Sequence, residues 1–213
     1  MADRVPYSFR AAPLQNPIVG NGYLTQPWFQ WFVDLQRQFL VRWEDLSFPA
    51  QAINLSGAAT DPARDAATGL LSFSGVADNS IRGVAQMPHG WLPGSVVRPH
   101  LHLRFPNVNA GFNTRWAFAY DVANVGADWL NASGTYGSLL IVTVANAANA
   151  LRHVTQTFGD LVMTGFAESS CILWQLTRLA GTDALDDDNQ TCLLVSLDLH
   201  YQIHKAGTVP EGP

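Results

Sequence analysis

The feature that most constrains this chain is its punctuation. From about residue 50 onward the apolar stretches are short, alternate with polar residues, and stop at Gly, Pro, Asn or Asp. A two-residue period gives a strand one core face and one outer face, and such frequent turn formers leave little room for helices. Strands are expected at Ala50 to Leu55, Gly69 to Ser74, Ser80 to Met87, Val96 to Phe105, Thr114 to Val122, Leu139 to Val144, His153 to Phe158, Ser170 to Leu179 and Cys192 to His204. The series predicts an all-β chain, an antiparallel β-sandwich of jelly-roll type. The segment "VANAANALRHV" is compatible with a short helix.

Ahead of the strands the pattern changes. An arm rich in Pro, Gly, Asn and Gln runs to about residue 25. Then "TQPWFQWFVDLQRQFLVRW" places Trp28, Trp31, Phe32, Leu35 and Phe39 at three- and four-residue intervals, with Gln30, Asp34, Arg37 and Gln38 on the other side. That is the spacing of an amphipathic helix of about four turns, capped by Thr25 or Gln26, with Pro27 in its first turn. The division expected is residues 1–44 for arm and anchoring helix and residues 45–213 for the β-sandwich. Two readings of the aromatic stripe are open: packing on the chain's own β-domain, or packing on copies of itself or a partner. In the second, Pro17, Trp28, Phe29, Trp31, Phe32, Leu35 and Phe39 form the interface.

With 213 residues the chain can bury a real core, and 47% hydrophobic against 14% charged residues marks it as globular with a poorly charged surface. Such a surface suits subunit contacts. A net charge of −5, Lys205 as the sole lysine and no Arg-rich run argue against nucleic acid as a partner. The longest apolar runs, "LLIVTVANAANA" and "CLLVSL", are too short for a membrane span. The start "MADRVPYSFR" resembles neither a secretory signal nor a transit peptide, so synthesis inside the cell is expected. Sequons at Asn54, Asn131 and Asn189 then carry little weight. An antiparallel pairing that sets Leu179 near Cys192 puts Cys171 beside His200, out of reach of Cys192, so both thiols are expected free.

Along "VVRPHLHLRF", residues 96–105, Val97, Pro99, Leu101, Leu103 and Phe105 alternate with Arg98, His100, His102 and Arg104. The apolar set must face the core, so both histidines are expected outward beside two arginines. A hairpin to "RWAFAYDV" over "PNVNAGFN" would put the small Ala117 and Ala119 on the histidine face. The last strand offers Asp198, His200 and His204 on its own polar face.

Three uses of His100 and His102 are distinguished. "GSVVRPHLH" matches the first half of a cupin metal motif, but the glutamate that should follow is absent, no second motif is found, and cupin ligands point into the barrel. In a trimer, His-x-His from three chains near the symmetry axis would supply an octahedral nitrogen set suited to iron or nickel. Otherwise the histidines and arginines hydrogen-bond across a subunit interface or are solvated.

Other chemistry is thinner. There is no "GxSxG" and no phosphate-binding glycine loop. The acidic stretch "DALDDDN" lacks the Gly and terminal Glu of a calcium loop and is expected to be a solvated hairpin tip. Trp116 and Trp174 fall on apolar strand faces and Trp28 and Trp31 on the helix stripe. That leaves Trp91 and Trp129, in loop-like contexts, as candidates for an exposed platform that would take a host-surface glycan.

Four blocks, "QNPIVGNGYLTQPWFQWFVDLQ", "VAQMPHGWLPGSVVRPHLHLRF", "TRWAFAYDVANVGADW" and "LLVSLDLHYQIHKAGT", span most of the chain. Together they resemble a family of small structural proteins of tailed-bacteriophage particles, encoded among neck, tail and fibre genes. The resemblance implies a non-enzymatic virion component with a β-sandwich body, made in the host bacterial cytoplasm. It further implies a symmetric assembly; with the poorly charged surface, the arm and the aromatic helix, a homotrimer without a cofactor is expected that docks on other virion proteins through arm and helix. It places His89, His100 and His102 in the family pattern and gives them no role.

Overall fold

A computed structural model describes residues 12, 18–20, 23–39, 42–106, 111–128, 136–146 and 152–203. Two short strands, β1 (Val19–Gly20) and β2 (Tyr23–Leu24), pair antiparallel and lead into helix α1 (Gln26–Phe39). The Thr25 carbonyl accepts the Phe29 N–H at 2.9 Å, and Pro27 lies in the first turn, where a missing N–H costs no helical bond.

The body is an antiparallel β-sandwich of jelly-roll type. Its strands are β3 (Arg42–Pro49), β4 (Ala63–Arg64), β5 (Leu71–Phe73), β6 (Asn79–Gln86), β7 (Val97–Arg104), β8 (Asn113–Ala123), β9 (Ser138–Ala145), β10 (His153–Thr157), β11 (Cys171–Arg178) and β12 (Cys192–Ile203). The larger sheet runs β10-β7-β12-β5-β4, with β3 also paired to β12; the smaller runs β6-β11-β8-β9. A one-residue irregularity at Val195 breaks the β12–β7 register. It switches the inward positions of β12 from Cys192 and Leu194 to Leu197, Leu199 and Tyr201, which turns Asp198 and His200 outward.

Between the sheets, Leu71, Phe73, Leu101, Leu103, Leu197 and Leu199 meet Trp116, Phe118, Ile172, Trp174 and Leu176 in one buried cluster. Aromatic rings lock across the layers, Phe73 on Trp116 at 4.9 Å and Phe48 on Trp174 at 5.2 Å, both edge to face.

Several sequence expectations need correction. The strand expected at Ala50 to Leu55 lies earlier, as β3, and Ala50–Ala52 forms a 3-10 turn. β3 therefore crosses the boundary expected at residue 44. β7 and β8 are not a hairpin: they belong to opposite sheets, so Ala117 and Ala119 are on the far side of the molecule from the histidines. Likewise β11 and β12 do not pair. The two cysteines are nonetheless free, and burial raises the Cys192 thiol far above its ordinary range.

The acidic loop is no solvated tip. The side chains of Asp186 and Arg178 are both fully buried and paired at 2.9 Å, and the guanidinium also donates to the carbonyls of Phe73, Asp188 and Gln190. Asp183 binds Arg115 at 2.9 Å, Asp187 accepts the Asn113 N–H, and Asp188 accepts from Asn146. The carboxylates thus hold the loop down over the ends of β8 and β11.

Candidate functional site

The outer face of the larger sheet gathers the polar residues of four strands. β7 alternates buried and half-buried positions along its whole length, which sends Arg98, His100, His102 and Arg104 outward as expected. β10 adds His153 on one side of β7. On the other, β12 adds Asp198, directly opposite His100, and His200, itself opposite Asp45 of β3.

These side chains form a chain of contacts. His102 lies 2.8 Å from Asp198 through Nε2 and 2.7 Å from His153 Nε2 through Nδ1. A carboxylate only accepts, so Nε2 of His102 carries the proton and its Nδ1 accepts from His153; this tautomer is assigned from the partners. His100 Nδ1 lies 2.9 Å from His200 Nε2, which is 3.5 Å from Asp45 Oδ1. The two pairs are joined by stacking of His100 on His102, with ring centres 4.7 Å apart and planes 14° from parallel.

On this face His100 Nε2 and Asp198 Oδ1 are buried and make no hydrogen bond. Burial first, and then the proximity of His200 and His102, holds the His100 pKa below that of an ordinary imidazole. The arrangement can store and share protons. Among the described residues, no group of three or more His, Cys, Asp or Glu side chains is placed to hold a metal ion.

Beside the histidines, Arg98 is tied to Asp160 at 2.6 Å, and its guanidinium carbon lies 5.7 Å from the ring centre of Trp43. Trp43 is 46% exposed, whereas Trp91 is 1% exposed and bridges to Ile203. Trp91 is therefore a core residue, not a surface platform: its loop folds back onto the end of β12. Trp129, Pro17 and His204 lie outside the described residues. His89 sits apart from the strand pairings of this face and meets Ser169 Oγ at 2.8 Å.

Of the interface residues expected on the helix, Trp28, Trp31 and Phe32 are in ring contact. Trp28 meets Trp31 at 5.6 Å and Phe32 at 6.0 Å, Leu35 is half-buried, and Phe29 and Phe32 are exposed. Phe39 closes the helix.

Sequence reasoning found His100, His102, Asp198 and His200 but missed His153, Asp45 and Trp43. His153 begins an alternating stretch, "HVTQT", so its face was legible and its neighbour was not. Asp45 and Trp43 belong to the strand whose start was hidden behind the helix pattern.

The fold defines the class, an antiparallel β-sandwich with an N-terminal helix. No protein-family model matches the chain, and no curated protein matches it. Among solved structures it is similar to the CBM36-1 domain of a multidomain xylanase from the hindgut metagenome of Trinervitermes trinervoides. Identity there is 10% and the TM-score 0.40, over 73% of this chain and 96% of the other. A family 11 carbohydrate-binding module from Clostridium thermocellum gives 11% and 0.33 over 74% and 87%. Desmodium yellow mottle tymovirus gives 12% and 0.23 over 77% and 85%.

Proposed function

We propose that the chain is a non-catalytic assembly protein of a tailed-phage particle, a homotrimer that docks through its arm and helix. One observation carries this reading: among the described residues, none between Ile18 and Phe39 belongs to the buried cluster of the body. Meanwhile Ile18, Val19, Tyr23, Leu24, Phe29 and Phe32 are exposed. An amphipathic helix spends its apolar face on burial; of the described side chains of this one only Trp28 is buried, which leaves Phe29 and Phe32 suited to burial against another chain. The poorly charged surface and the resemblance of the sequence blocks to phage structural proteins support the same reading. Particles purified from cells producing the encoding phage should contain the chain in fixed ratio to the capsid protein. Its absence from washed particles would reject the assignment.

A glycan-binding role is the second reading, and the exposed Trp43 beside the fixed Arg98 favours it. An exposed indole with a guanidinium over its ring suits a sugar ring. Glycan-array binding that disappears in Trp43→Ala, with assembly intact, is the expected result; no binding by the parent chain refutes it.

A further inference from the structure

We infer that His100, His102, His153 and His200 form a proton-operated latch that holds the edge strand β10 on the larger sheet. Among the described residues β10 has a single strand partner, β7, and no second ladder to hold it in place. Its one imidazole, His153, is the donor to His102 Nδ1.

Each histidine pair, His102 with His153 and His100 with His200, holds one N–H···N bond. Such a bond needs one nitrogen without a proton. One added proton per pair settles on an outer nitrogen and leaves the bond intact, on whichever ring it resides. A second occupies the accepting nitrogen, and the bond becomes a contact between two cations. Stacking compounds this, because His102 lies 4.7 Å from His100 and 4.9 Å from His153 between ring centres.

The charges facing the cluster do not absorb four new ones. β7 presents Arg98 and Arg104, and Arg152 immediately precedes β10. β12 presents Asp198 and β3 presents Asp45, while Asp160 is already bound to Arg98. Two carboxylates therefore stand against four imidazoles. Acidification that protonates both rings of a pair strips the His102–His153 bond and turns the face repulsive. β10 then loosens, and the outer edge of β7 is free to pair with another strand.

The test is hydrogen exchange of the full chain at about pH 7 and about pH 5, corrected for the chemical exchange rate. Amides of His153–Thr157 should lose about tenfold or more of their protection at the lower pH, while β8 and β11 keep theirs. His153→Gln supplies an amide donor for His102 Nδ1 that cannot take a proton, and should keep β10 protected at both values. Equal protection of β10 at both values in the parent chain, or equal loss in the Gln variant, overturns the latch. Should the variant misfold, ring-nitrogen shifts of the parent chain at neutral pH decide. They should show a fixed Nε2–H tautomer at His102 and His153, and averaged tautomers at both would overturn the assignment.

Discussion

Arg178 has no exposed surface, yet it carries its charge into the body, where Asp186 and three main-chain carbonyls receive it. Removing one partner of such a pair leaves the other charged, buried and unsatisfied. Arg178→Met should therefore lower the unfolding free energy by about 3–5 kcal/mol, measured by urea denaturation. A loss below about 1 kcal/mol would mean that the loop can release Asp186 to water. His100 governs a second dependence. Its folded pKa is depressed, so below the ordinary value the unfolded chain takes the proton first. Its contribution to stability is complete above about pH 6.5 and is lost as pH falls from there through the lower folded value. Urea midpoints should fall across that window, and His100→Asn should flatten the slope; an unchanged slope in the variant would assign the dependence to other groups.

At the scale of elements, the smaller sheet is fitted around one indole. Gly83 of β6 lies directly opposite Trp174 of β11, and a Cβ at Gly83 would fall 2.3 Å from Cζ2 of that ring. Trp174 is held by Phe48 and Phe118, so it cannot step aside freely. Gly83→Ala should cost about 1–3 kcal/mol and alter the near-ultraviolet circular dichroism of the tryptophans. A silent substitution would show that the two sheets slide apart easily. Alternation made β5 to β12 legible, because a period of two survives whatever the neighbour is. Pairing was not legible: "PNVNAGFN" and "AGTDALDDDNQ" look like hairpin loops, but both carry the chain from one sheet to the other. The misread acidic loop did leave a signal. Arg178 continues the inward series Trp174 and Leu176, and an arginine on a core face demands a buried carboxylate. β3 was hidden because "LVRW" continues the helical spacing into the strand.

For the whole molecule, the histidine face and its neighbour Trp43 belong to the larger sheet, whereas the helix precedes the sheets in the chain. Among the described residues the core cluster includes none from the helix, so exposed helix positions can be altered while the sandwich stays intact. Phe29 and Phe32, at 51% and 43% exposure, are the positions at which assembly and folding separate most cleanly. The most direct measurement is molar mass in solution, by light scattering behind gel filtration, of the full chain and of a Phe29→Ser/Phe32→Ser variant. The full chain should have three times the 23.2 kDa chain mass, and the variant should be a monomer with the unfolding curve of an intact body. A monomeric full chain, or a variant that remains trimeric, would contradict assembly through the helix.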